Sequence, residues 1–187
     1  MGKMILSALL AVLLAFPLAA QTSQQAAPKN PFSAWLLKSY TVNRNFLAKS
    51  AEKMPEEFYG MRPGSQQEVR TFGQILGHLV NNNYLACSDA KDGKNPGQGT
   101  DFEKVTAKAD LVKALNSAFA YCDGVYAALT DASSMQMVQM TTDDGGKVPA
   151  LRVSRLIFNI THNNEHYGNL VTYMRMKNIV PPSSEPQ

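Results

Sequence analysis

Net charge of one sign is nearly absent from this chain. Eighteen Lys and Arg face fifteen Asp and Glu, and no basic cluster stands out anywhere along the sequence. So mild a balance lacks the electrostatic footprint of a nucleic-acid binder or an anionic-membrane binder. Long apolar runs are missing too. The single apolar stretch, residues 4–20 (MILSALLAVLLAFPLAA), is a little short to span a bilayer. Cysteine occurs twice, and neither stands directly after that stretch, which excludes a lipoprotein anchor there. No internal repeat occurs, and no run of alternating residues makes a convincing sheet. Histidine occurs only three times in 187 residues.

The start of the chain has the three parts of a secretory leader. Lys3 is the basic beginning, residues 4–20 are the apolar middle, and Ala19-Ala20 is the small-residue exit before QTSQQ. Cleavage is expected after Ala20, with a second possible site near Ala27 and an uncleaved anchor as the other reading. The leader carries one basic residue and no acidic one, so 17 basic and 15 acidic residues remain. The expected location is periplasmic or secreted, with no membrane contact after cleavage. In such an oxidising place Cys87 and Cys122 are expected to pair. A bridge there closes 35 residues and contributes about 4 kcal/mol on the chain-entropy account. The other reading is two buried thiols.

Residues 21–29 read as a flexible lead. Asn30-Pro31 starts a first helix, with Asn as cap and Pro at the first position. Trp35, Leu36, Val42, Phe46 and Leu47 form its stripe as far as Met54-Pro55. Residues 55–70 hold Pro55, Gly60, Pro63 and Gly64 and read as a loop. Thr71 and Gln74 form a capping box opening a second helix to about Asp89. KDGKNPGQG (91–99) is a break. A third helix runs from about Thr106 to Thr130, with Leu111, Leu115, Ala118, Cys122, Val125 and Leu129 in a bundle seam. Residues 133–149 hold Met135, Met137, Met140 and the turn Asp143-Asp144-Gly145-Gly146, a short hairpin or ordered loop that Pro149 stops. A fourth helix covers about 150–177. Residues 179–187 are expected to be a disordered tail. The expectation is an all-α four-helix bundle over residues 30–178.

His162 and His166 stand four apart on the last helix. Their beta carbons are then about 5–6 Å apart on one face, close enough to share a cation at about 2.0–2.1 Å per bond. That face continues as Arg155, Asn159, His162, His166, Asn169 and Tyr173, opposite Val153, Leu156, Ile160, Val171 and Met174. A solvent face usually carries Lys and Glu; Asn, His and Tyr suit a semi-buried pocket. His78 lies on a similar stripe of the second helix, with Thr71, Gln74, Asn82 and Asp89. Bundles build metal sites from inward side chains on facing helices.

The stretches TFGQILGHLVNNNY, THNNEHYGNLVTYMR and MRPGSQQEVRTFGQILGHL resemble the DinB-like family. The resemblance extends from about Asn30 to Lys177. It implies a four-helix bundle of DinB-like type holding one metal through His78, His162 and His166, with open positions for water or substrate. It also implies a possible homodimer; some family members transfer thiol cofactors or isomerise thiol adducts. Those cofactors are cytosolic, whereas this chain is expected to be exported. Nitrogen ligands suit Zn, Ni, Fe or Cu, and one divalent metal (Zn, Ni or Fe) is the expectation. The reaction class would be a hydrolase or transferase acting on a small-molecule substrate.

Glu165, about 100° round the helix from His166, is either a catalytic group that orients water or a plain solvated glutamate. His162-Asn163-Asn164-Glu165-His166 also matches the inverted zinc-protease motif H-x-x-E-H. That motif needs a further Glu ligand far downstream, and only 21 residues follow His166. A non-catalytic periplasmic metal-binding or interaction bundle competes with the enzyme reading. Met135, Met137 and Met140 could serve soft-metal capture or fill core gaps.

Overall fold

The computed structural model describes residues 29–186. The expected leader and most of the expected flexible lead, residues 1–28, lie outside these described residues. Five helices and one hairpin follow in order: α1 (Pro31–Lys53), α2 (Phe72–Lys91), α3 (Lys108–Ala127), α4 (Asp131–Ser134), β1 (Met137–Thr141), β2 (Lys147–Leu151) and α5 (Arg152–Met176). The molecule is mostly helical. Its four long helices form a ring: α2 packs on α3 and α5, and α1 packs on the same two. The helices α1 and α2 therefore lie on one diagonal, and the inner faces of all four meet in one core.

The core follows from helical periodicity. On α1 the buried positions step by three and four through Leu36, Tyr40, Asn43, Leu47 and Ser50. On α3 they are Leu111, Leu115, Ala118, Cys122 and Val125, the seam expected from spacing. The α1 stripe differs from expectation in part. Leu36 and Leu47 are core, but Trp35 is 59% exposed and Val42 47%. They sit one position off the buried step, where with Phe46, Ile160 and Tyr167 they line a surface groove.

Helix α2 begins at the expected capping box. Thr71 Oγ1 accepts from Gln74 N at 3.2 Å, and Gln74 Oε1 accepts from Thr71 N at 2.9 Å. It ends at Asp92, whose φ of 55° turns the chain left-handed. Helix α1 starts where expected, with Asn30 at the cap position and Pro31 first in the helix, but the Asn30 side chain makes no capping hydrogen bond. Instead Asp131, from α4, accepts from Ser33 N at 2.8 Å and Phe32 N at 3.3 Å. Asn30 Oδ1 accepts from Asp131 N in return.

Between α4 and α5 the chain forms an antiparallel hairpin, in register Met137↔Leu151 to Thr141↔Lys147. Gly145, at φ 82°, supplies the left-handed residue of its turn. Pro149 does not stop the strand; it lies inside β2 opposite Gln139. A two-stranded sheet has two edges, and there a missing N–H is tolerated. The hairpin is tied to α2 through Asp89, which accepts from Thr141 N and Oγ1.

The expected disordered tail is in part ordered. Pro182–Ser184 forms a short turn with Pro181 and Pro182 buried. Ser183 N donates to the Tyr167 hydroxyl, and Glu185 pairs with Lys53. Proline and serine composition suggested disorder, but two buried prolines and these bonds hold the segment against α1 and α5. Among the described residues no helix is long and apolar enough to cross a membrane.

Candidate metal centre

The neighbouring helices α2 and α5 bring the three histidines together. The ring centroids of His78 and His162 are 4.9 Å apart, those of His78 and His166 4.8 Å, and those of His162 and His166 4.5 Å. One ligand nitrogen from each lies within 4.8 Å of the others. The Nε2 atoms of His78 and His162 are 3.0 Å apart. Two of the rings are half-buried and His166 is buried, so the triad faces the space between helices.

Tautomers sharpen this geometry. His78 Nδ1 lies 2.9 Å from Glu103 Oε1. An ionised carboxylate only accepts, so Nδ1 carries the proton and Nε2 turns a lone pair towards His162. The spacing of the two Nε2 atoms is one that two ligands bound at about 2.0–2.1 Å to one cation can span. His162 Nδ1 is buried without a hydrogen-bond partner among the described residues. An all-imidazole donor set of this shape fits a divalent transition metal.

Electrostatics keep His162 and His166 neutral. Burial, with the neighbouring rings of His166 and His78, pushes His162 down to about 3. Burial also lowers His166, helped by His78 and partly offset by Glu165. Neutral imidazole is the form that ligates a metal. Burial raises Glu103, but hydrogen bonds from Arg70 and His78 outweigh it, and its carboxyl sits below the usual range.

Below the triad lies a buried amide cluster. Asn159 Nδ2 and Asn163 Nδ2 both donate to Asn83 Oδ1 at 3.1 Å. Asn82 Nδ2 donates to Asn159 Oδ1 at 3.1 Å. Beside His166 a cavity of about 210 Å³ is bounded by Arg70, Ile75, Asn169 and Tyr173 among others. The Tyr173 hydroxyl donates to the Arg70 carbonyl at 2.6 Å.

The polar stripe of α5 therefore faces inward, as its composition suggested: Arg155, Asn159, His166 and Tyr173 are buried. Asn169 is exposed but reaches His166 Nδ1 at 3.4 Å. Glu165 is exposed and forms no hydrogen bond or ion pair among the described residues. Glu103, Arg70, Asn83 and Asn163 were not singled out in the sequence. Glu103 had no signal, because it lies in a separate segment 25 residues from His78. Away from the triad, Cys87 and Cys122 are joined by a disulfide, with Cα atoms 5.4 Å apart, linking α2 to α3.

Four long helices with three imidazoles meeting between two of them define a helical bundle able to hold a metal. Residues 39–170 match the DinB superfamily, and the chain belongs to it. Among solved structures, a DinB-like protein from Bacillus cereus ATCC 10987 is 18% identical, with 79% of this chain and 93% of that one covered and a TM-score of 0.64. A DinB-like protein from Bacillus subtilis is 20% identical, with 81% and 99% covered and a TM-score of 0.62. A mycothiol-dependent maleylpyruvate isomerase is 14% identical, with 74% and 60% covered and a TM-score of 0.53. At these identities the likeness establishes the fold. No curated protein matches the chain in sequence.

Proposed function

We propose that this is an exported DinB-superfamily protein that binds one divalent metal, Zn, Ni or Fe, through His78, His162 and His166. In this reading it is a metal-dependent hydrolase or transferase for a small molecule. The observation that carries it is the triad itself: ligand nitrogens within 4.8 Å of one another, from two helices. A metal held there supplies a Lewis acid that polarises a carbonyl or acidifies water. The chain's own residues do the rest. Burial keeps His162 and His166 neutral and therefore able to ligate. Arg70, Asn169 and Tyr173 bound a cavity of about 210 Å³ beside His166, below the usual range for drug-sized ligands. Export rests on Lys3, the apolar residues 4–20 and the paired cysteines.

A non-catalytic metal-binding role is the second reading. Glu165 faces solvent, and Glu103 is already engaged by His78 and Arg70. Neither is a free base beside the triad.

Metal analysis of the purified protein against a His162→Ala variant tests the site. About one metal per chain, lost in the variant, is expected; equal metal in both rejects it. Turnover of small esters and thioesters that stops with chelator and in His162→Ala separates enzyme from binder. A secreted product beginning at Gln21 is the expected outcome for export.

A further inference from the structure

Among the described residues, His78 is the one member of the triad whose ring nitrogen meets a carboxylate, that of Glu103. Glu103 belongs to the short turn Phe102–Lys104, not to a long helix. Three separate features of the chain hold this turn against α2, around His78.

The first is an absence. Gly77 immediately precedes His78. A Cβ at Gly77 would lie 2.2 Å from the Phe102 carbonyl oxygen and 2.7 Å from Glu103 N. Any side chain there pushes the turn off the helix. Glycine inside a helix costs about 0.5–1 kcal/mol relative to alanine, so close approach of this turn has been favoured over helix propensity. The second is Asn81, three residues after His78. Its Oδ1 accepts from Phe102 N at 3.2 Å, and its Nδ2 donates to Asp101 Oδ1 at 3.3 Å. Asp101 Oδ1 in turn accepts from Glu103 N. The third is Arg70, which grips both carboxylate oxygens of Glu103, with Nε at 2.8 Å and an Nη at 3.2 Å. The Arg70 carbonyl is held by Tyr173 on α5, the helix that carries the other two histidines.

A half-exposed Arg–Glu pair alone is worth little to stability, and it does not require Gly77 or Asn81. What all three features share is the position of one carboxylate against His78 Nδ1.

We propose that Glu103, seated by Gly77, Asn81 and Arg70, is the positioning residue of the triad: it holds the proton on His78 Nδ1 and aims Nε2 at the metal position. The consequence for affinity rests on the metal-binding function proposed above; the tautomer does not. Partners of this kind fix ring orientation and raise ligand basicity, and losing one lowers metal affinity by about 10–100-fold.

The test measures two quantities on the full, folded protein. The first is the His78 tautomer in metal-free protein, from long-range nitrogen–proton correlation. The second is zinc affinity, by competition with a chromophoric chelator. The wild type shows the Nδ1–H tautomer. Glu103→Ala loses that preference and weakens zinc binding by about 10–100-fold. Glu103→Gln, whose amide oxygen still accepts from Nδ1, recovers part of both. Gly77→Ala reproduces Glu103→Ala although it removes no polar group, and Asn81→Ala serves if Gly77→Ala does not fold. Lys113→Ala, exposed on α3 and away from the turn, changes neither quantity. A wild-type Nε2–H tautomer, or zinc affinity unchanged in Glu103→Ala, overturns the proposal. If the wild type binds no zinc, the metal-binding reading fails by itself and the tautomer still decides the role of Glu103.

Discussion

The side-chain amides of Asn83 and Asn163 form a closed pair: Asn83 Nδ2 donates to Asn163 Oδ1 at 3.0 Å, and Asn163 Nδ2 donates back to Asn83 Oδ1 at 3.1 Å. One residue is on α2 and the other is next to His162 on α5, and both are fully buried. Asn83 Nδ2 also reaches the Leu79 carbonyl, and Asn83 Oδ1 also accepts from Asn159. The pair sets how far α2 is slid along α5, and with it the spacing of His78 from His162.

Asn83→Ala is therefore expected to cost more than one hydrogen bond. It leaves both Asn163 Nδ2 and Asn163 Oδ1 without their partner in a buried site and takes one of the acceptors of Asn159 Nδ2, and an unmet buried group costs about 1–3 kcal/mol. Urea denaturation should show a loss of about 2–4 kcal/mol, with zinc affinity falling alongside it. Unchanged zinc affinity in the folded variant would mean that helix register does not depend on the amides.

The run Asn81-Asn82-Asn83 shows what the sequence could and could not reveal. Helical spacing placed Asn82 on the stripe of His78, and it does reach Asn159. Its neighbours turn by about 100° each way: Asn81 towards the turn that carries Glu103, Asn83 towards Asn163. Nothing local distinguishes these three amides, because their partners lie on other segments. The four long helices were legible because period and caps are local, as Thr71 and Gln74 show. The triad was legible because scarce histidines fell on polar stripes. Glu103 was not, because its link to His78 is made by the absence of a side chain at Gly77. Asn30 stands at the cap position as its composition suggested, but the side chain that accepts from the first turn belongs to Asp131, 101 positions away.

Asp89 and Arg155 make the most buried ion pair among the described residues, with side chains 2% and 7% exposed and Arg155 Nε 3.2 Å from Asp89 Oδ2. That contact is an ion pair by distance, without a directed hydrogen bond on Nε. Asp89→Leu strands a buried guanidinium and releases Thr141, so a loss of about 3–5 kcal/mol is expected. The double variant Asp89→Leu/Arg155→Leu should recover much of it, because an apolar pair of similar bulk is tolerated where half an ion pair is not. Denaturant titration of both variants reads this; a double variant as weak as the single one would show that the Thr141 bonds carry the stability.

Asp131 predicts an acid-sensitive end of α1. The hydrogen bond from Ser33 N is the main reason that its carboxyl titrates below the ordinary 3.8. With the folded value below the unfolded one, the unfolded chain takes up the proton first as pH falls. The cap's contribution is thus full above about pH 4 and disappears as pH drops below 3.8 through the folded value. Thermal melting of wild type and Asp131→Asn should differ most near neutral pH, with the wild type higher, and converge in acid. A gap that stays constant down to about pH 2.5 would exclude the carboxylate as the cap.

The Cys87–Cys122 link is expected to resist reductant until the bundle opens. Both residues are fully buried, and thiol exchange needs access for the attacking thiolate. Dithiothreitol should leave the bridge intact under native conditions and cleave it only where denaturant begins to unfold the chain. A Cys87→Ala/Cys122→Ala variant should lose about 4 kcal/mol, the value for a closed loop of this length. The effect should also reach the metal centre. Cys122 Sγ lies 3.2 Å from the Asn83 carbonyl oxygen, and Cys87 Sγ lies 4.0 Å from Asn159 Nδ2. Loosening α2 from α3 therefore loosens the amide cluster that holds α2 to α5. A cysteine-free variant that loses stability but binds zinc as tightly as the wild type would separate the two and confine the bridge to one side of the bundle.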